Sequence, residues 1–140
     1  MGRVIQGFLP TPPPNVTHND LTIRYRTKMS GGRVPYVAKS DRLRKAEDAI
    51  RPHIARLAPS MPLSGALMVT WKLVWPTDGK HYQGEAKTTK PDADNVVKTL
   101  NDLLETCRVI VNDAMICDMR VMKMFRDPAG IWLRVEEVDE

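Results

Sequence analysis

The sequence predicts one α+β domain, a mixed sheet packed against two helices. Three observations predict it. The 140 residues are the length of a single domain, taken here as residues 1–140. Period-two runs and helical apolar stripes follow one another in the order β-α-β-α-β-β. Proline- and glycine-rich breaks separate them, with no internal repeat and no low-complexity tract.

Val4-Ile5-Gln6-Gly7-Phe8-Leu9 is a short apolar run halted by Pro10 and followed by Pro12-Pro13-Pro14. Proline cannot donate to a ladder, so a strand running into a stiff loop is expected. From Thr17 to Tyr36 the chain is polar, with Arg24, Tyr25, Arg26, Lys28, Arg33 and Tyr36 interleaved and Gly31-Gly32 breaking any regular element. This reads as a loop, either merely solvated or suited to phosphate contact and stacking. Ser40-Asp41 starts a helix whose stripe is Leu43, Ala46, Ile50, Ile54 and Leu57, and Pro52 should kink it or end its regular part.

Leu67, Val69, Trp71, Leu73 and Trp75 alternate with their neighbours, which predicts a strand facing the core with that set until Pro76 stops it. Thr77 to Lys90 has no periodicity and reads as a mobile loop. Val96, Val97, Leu100, Leu103 and Leu104 form the stripe of a second helix, capped by Asp92 or Asp94. Met115 to Phe125 reads as a strand. The turn Asp127-Pro128-Ala129-Gly130 leads into a last strand, Ile131 to Glu136, expected to close a hairpin.

Composition excludes whole classes. A chain 42% hydrophobic and 27% charged is neither disordered nor collagen-like, and no apolar run approaches the ~20 residues of a membrane span. The first ten residues show no secretory signal. Cys107 and Cys117 are too few for a disulfide scaffold, so reduced thiols in a cytoplasmic protein are expected, packed in the core like the eight methionines. The net charge of +4 hides an asymmetry. Residues 1–90 carry 15 Lys and Arg against 6 Asp and Glu, and residues 91–140 carry 6 against 11. A basic surface with a local acidic cluster suits a metal-dependent enzyme acting on a polyanion. It equally suits an ordinary basic protein with an acidic tail, since four of those acids lie at 136–140.

The segment Lys90-Pro91-Asp92-Ala93-Asp94-Asn95-Val96-Val97-Lys98 concentrates the chemistry. Two carboxylates stand at a helix start, and Lys98 lies one turn after Asp94 on the same face. Mg²⁺ takes hard oxygen ligands, commonly one or two carboxylates plus substrate phosphate oxygens, and a neighbouring lysine can steady a phosphoryl transition state. Plain capping with a surface Asp94–Lys98 pair explains the same residues. A third acid, Asp113, follows Val109-Ile110-Val111 and Asn112, where the chain could bring it beside the helix N-terminus. Asp92, Asp94 and Asp113 would then share one or two metal ions, with Asp118 either an outer-shell member or, the preferred reading, a solvent-facing salt-bridge partner. His18, His53 and His81 lack zinc spacing, and no nucleophile elbow or phosphate-binding glycine loop is present.

Together with Asp102-Leu103-Leu104, Asn112-Asp113, the early Leu9-Pro10 and Pro12-Pro13, and the strands through Arg120 and Lys123, this segment resembles the RusA-type Holliday junction resolvases, common in phages and prophages. The resemblance covers nearly the whole chain and is most specific over residues 90–125. It implies a homodimeric, Mg²⁺-dependent endonuclease, with Mn²⁺ an acceptable substitute, that cuts four-way DNA junctions by paired symmetric nicks. It assigns the metal-binding and catalytic aspartates to Asp92, Asp94 and Asp113, the essential lysine to Lys98, and a supporting role to Asn95. Three departures stand out. Asn112 occupies the place of a second adjacent Asp, Met115 that of a Gln, and the Thr77–Lys90 loop is long. On this reading Arg24, Arg26, Lys28, Arg33, Lys80, Lys87 and Lys90 contact the DNA backbone, giving structure rather than base recognition. Two rivals use the same residues: a non-catalytic DNA-binding dimer, and a nuclease for flaps and forks.

Overall fold

A computed structural model describes residues 2–17 and 19–138; Met1, His18 and the tail residues Asp139 and Glu140 lie outside it. Seven strands and two helices follow in the order β1 (Val4–Leu9), β2 (Leu21–Thr27), β3 (Arg33–Lys39), α1 (Asp41–Ala55), β4 (Leu67–Trp75), β5 (Glu85–Ala86), α2 (Ala93–Thr106), β6 (Ile116–Phe125) and β7 (Gly130–Glu137). A single 3-10 turn, Asp113–Met115, leads into β6. The α+β class, the mixed sheet and the two helices are as the sequence predicts.

The main sheet runs β1-β7-β4-β6-β5. Only β4 and β6 are parallel; every other neighbour is antiparallel. The expected closing hairpin is therefore not formed. After the turn at 127–129 the chain passes over β4, and β7 inserts between β4 and β1. β4 is the most apolar strand, and with a partner on both sides only Lys72 of its nine residues stays exposed. Its residues Leu67, Val69, Trp71, Leu73 and Trp75 all point into the core, as their alternation predicts.

Both helices cover one face of this sheet. On α2, Val96, Val97, Leu100, Leu103 and Leu104 are buried, each contributing roughly 1.5–3 kcal/mol relative to exposure. Trp71 Nε1 donates to Asn101 Oδ1 at 3.0 Å and fixes the helix on β4. α1 is capped by Ser40, whose hydroxyl accepts from the Leu43 amide at 3.1 Å. Pro52 does not stop α1: the helix continues to Ala55, because the proline falls in the last turn where little of the ladder remains to break. Of the thiols, Cys107 packs against the core while Cys117 is exposed, and Met29, Met61 and Met119 are exposed as well, so cysteines and methionines are only in part core residues.

Two expected loops carry structure. Thr17–Tyr36 contains most of a β2–β3 ribbon separate from the main sheet, with Ile23 opposite Val37 and Arg24 opposite Tyr36. The expected mobile loop 77–90 is pinned. Asp127 accepts from the Thr77 hydroxyl at 2.5 Å and from Gln83, His81 stacks on Phe125, and β5 pairs with β6. At the opposite edge Arg3 binds Glu137 through its guanidinium and its backbone amide, and the Ser64 amide adds a third donor. The Arg3 contact, with these amides, holds the Glu137 carboxyl down at about 2. Among the described residues no helix is long and apolar enough to cross a membrane.

Candidate active site

α2 presents its polar face through Asp94, Lys98, Asp102 and Glu105, at i, i+4, i+8 and i+11. Asp92 occupies the cap position in extended backbone geometry (φ −67°, ψ 138°), but its carboxylate makes no capping hydrogen bond. That carboxylate is free for other work, with Lys90 Nζ 3.5 Å away. Asp94 is exposed in the first turn, where the unpaired amides of the helix start favour a negative charge. Among the described residues Asp94 and Lys98 form no ion pair, so the surface-pair reading of this spacing is not what the chain builds.

The backbone ahead of Asp92 is held from β6. Lys123 Nζ donates to the Thr89 and Pro91 carbonyls, each at 2.7 Å. Lys87 lies over the Trp75 and Phe125 rings at 5.2 and 5.0 Å and donates to Thr89 Oγ1. Burial, and secondarily the charge of Lys123, push its ammonium below the usual lysine range. Lys123 is the positioning residue that sequence reasoning missed; a lysine on the core-facing side of a strand (alternating with Met122 and Met124) was the available signal.

Asp113 is not beside the helix N-terminus. Its backbone amide donates to Glu105 Oε1 at 2.9 Å, placing it against the C-terminal turns of α2. The cause is local. Arg108 adopts φ 63° and reverses the chain, and Val109 and Val111 then bond to Leu63. Asp102 and Asp94 are eight residues apart, so about 12 Å of helix separates them. The acids therefore fall into two groups on one helix face: Asp92 and Asp94, and two turns later Asp102, Glu105 and Asp113, with the buried Glu47 of α1 nearby. Among the described residues no three His, Cys, Asp or Glu side chains gather closely enough to hold a metal ion, so the expected three-aspartate convergence is absent from the single chain. Partial burial, then the charge of Asp113 and more weakly those of Glu105 and Glu47, raise the Asp102 carboxyl above its ordinary range, with Lys39 opposing.

Asn112 keeps a role. Its Oδ1 accepts from the Ala114 amide at 2.8 Å and caps the 3-10 turn that carries Asp113. Met115 packs against the core. Asp118 is exposed on the sheet face away from the helices, and Asn95 is half-buried on α2. Of the expected DNA-contacting cations, Lys90 stands beside Asp92, Lys87 lies over the Trp75 and Phe125 rings, and Lys80 is exposed in the preceding loop. The others stand on the ribbon. Arg24 binds Asp41 at 2.7 Å, Arg26 and Arg33 lie over Tyr36 and Tyr25, and Lys28 is exposed at the tip.

The family model described as endodeoxyribonuclease RusA matches residues 14–136, all but the ends of the chain. The chain belongs to the RusA family. No curated protein matches it. The RusA match takes in the ribbon, both helices and both acid groups, so the candidate site residues lie inside the family domain.

Proposed function

We propose that this RusA-family chain is a Mg²⁺-dependent endonuclease that resolves Holliday junctions as a homodimer, in the cytoplasm, during DNA recombination and repair. Paired symmetric nicks would leave 5′-phosphate and 3′-hydroxyl ends. The observation that carries the reading is the α2 face, where exposed Asp92 and Asp94 share a helix start with Lys98 while Asp113 joins Asp102 two turns on.

A closed cage of three aspartates does not fit this single chain. Hard-oxygen donors do fit Mg²⁺, which commonly takes one or two carboxylates and completes its shell with substrate phosphates. Asp92 and Asp94 form one such pair and Asp113 belongs to the other group; Mn²⁺ can replace Mg²⁺ in such oxygen sites. The bound cation would supply charge neutralisation and a more acidic water. Lys98, exposed one turn from Asp94, steadies charge at the scissile phosphate, and Asn95 orients the neighbouring carboxylate. Lys90 and the ribbon cations Arg26, Lys28 and Arg33 hold the phosphate backbone, with Lys80, Lys87 and Arg24 around them. The ribbon also supports the dimer. Leu21, Ile23, Tyr25 and Val37 share one exposed face of a two-stranded element that is marginal when unsupported, and a second copy would cover it. A two-fold dimer presents one site to each of two opposed strands of a junction.

Asp94→Asn tests the assignment on a synthetic four-way junction with Mg²⁺. Expected is retained binding with cleavage lost by at least about 100-fold. Nicking at the wild-type rate would refute the role of Asp94. Binding without nicks by the wild-type protein would support the non-catalytic dimer, and faster cutting of forks or flaps would move the substrate.

A further inference from the structure

The sheet face opposite the helices is bare, and its side chains are ordered in rows by the strand register. One row crosses Gln6, Arg134, Thr70 and Arg120; the next crosses Phe8, Trp132, Lys72 and Met122. Trp132 stands at the middle, 51% exposed, its ring leaning on Phe8 at 4.8 Å. Phe8 in turn occupies the space a side chain at Gly130 would need. Two cavities flank the indole. One, of about 440 Å³, is bounded by Gln6, Thr70, Lys72 and Arg134; the other, of about 510 Å³, by Phe8, Lys72, Met124, Arg126 and Asp127.

The charge around Trp132 is mostly positive, with Glu136 3.5 Å from Arg134 Nε and Asp118 in the neighbouring row as the nearby acids outside the cavities. Lys72, Arg126 and Arg134 line the cavities, and the single acid among the lining residues, Asp127, is engaged by Thr77 and Gln83. An exposed indole set among cations, with a hollow on either side, matches what an unpaired polynucleotide offers: a π-face for stacking and phosphates on each flank. Duplex DNA hides its base faces. A second copy docked through a two-fold axis near Trp132 would set Lys72 and Arg134 against their own counterparts.

We propose that this face binds single-stranded DNA, with a base stacked on Trp132 and neighbouring phosphates held by Lys72, Arg126 and Arg134. The surface lies across the sheet from α2 and uses none of its acids, so the inference stands apart from the metal and junction assignments.

The intact protein in EDTA is titrated with fluorescein-labelled dT12, followed by anisotropy, and with unlabelled dT12, followed by tryptophan emission. Trp71 and Trp75 are buried, so quenching reports Trp132. Expected are saturable quenching and a loss of about tenfold in dT12 affinity in both Trp132→Ala and the exposed-site variant Lys72→Ala. Asp94→Asn should keep full dT12 binding, which separates this surface from the nuclease site. Unchanged dT12 affinity in both variants, or wild-type binding without quenching, overturns the proposal. So does a Trp132→Ala protein that loses self-association in sedimentation yet binds dT12 normally, an outcome that would give the face to a second copy.

Discussion

Lys123→Met is the most informative single change, because it removes a support and leaves every acid in place. Lys123 makes two charge-assisted hydrogen bonds of 2.7 Å to the Thr89 and Pro91 carbonyls, immediately ahead of Asp92. Such bonds are worth ~1.5–3 kcal/mol each when shielded. One of the two faces solvent, so the lower part of that range applies and the pair contributes about 2 kcal/mol to holding the segment. At 1.4 kcal/mol per tenfold, the held state loses about 30-fold against detached ones. Methionine keeps the aliphatic packing. Junction cleavage should therefore fall about 10–30-fold, with junction affinity changed less than about threefold, since one partly shielded cation is lost. Hydrogen exchange over residues 88–93 should accelerate by a comparable factor. The Lys87 ammonium, no longer facing Lys123, should titrate higher. Wild-type cleavage with unchanged exchange would refute the reasoning, and cleavage lost only in proportion to binding would make Lys123 a DNA contact instead.

Two further outcomes are expected. Asp102→Asn should raise the melting temperature in EDTA at pH 7 by about 1–3 °C, after discounting for solvent exposure; because the folded carboxyl titrates above its unfolded value, the gain develops as pH rises through that window and vanishes below about 3.9. An unchanged melting curve at pH 7 would count against the burial of Asp102 and its crowding by Asp113. Ile23→Glu with Val37→Glu should convert the proposed dimer to a monomer in light scattering while the melting temperature stays within about 2 °C, because both residues are exposed on the ribbon; a persistent dimer would place the interface elsewhere.

The elements legible in the sequence are those in which one face is buried. β1, β4, β7, α1 and α2 each bury a periodic set of apolar residues, and the pattern is a direct image of that burial; β6, read as a strand from its alternation, is confirmed at Ile116–Phe125 although much of it is exposed. The ribbon was not legible because most of its residues are exposed; Leu21, Ile23 and Tyr25 do alternate with polar residues, but nothing in this chain covers them. Strand order was unreadable for a different reason. The turn at 127–129 would serve a hairpin, and only the demand of β4 for two partners sends β7 past it. At the site, the shared face of Asp94 and Lys98 follows from helical spacing. The position of Asp113 does not, since it is set by one left-handed residue, Arg108, that a non-glycine sequence gives no reason to expect there.

The placement of the acids sets them apart from ordinary surface charge. Asp92 and Asp94 stand where the helix start stabilises carboxylates. Asp102, Glu105 and Asp113 crowd the other half of α2, whose last turn carries no basic residue and whose carbonyl end disfavours anions. Packing alone would not favour that crowding: burial first, and then the charge of Asp113, push the Asp102 carboxyl above its ordinary range. Asn112 relieves it in part: as an amide it caps the 3-10 turn without adding another charge beside Asp113. On the proposed function, the charge that this group of acids lacks is supplied from outside the chain by a cation. The same arrangement explains the division of labour between surfaces. Asp94, Asp102 and Glu105 line the α2 face with Asp92 and Asp113 beside them, while Arg26, Lys28 and Arg33 on the ribbon, Lys80 in its loop, and Lys72 and Arg126 on the far side of the sheet offer cations to a polyanion.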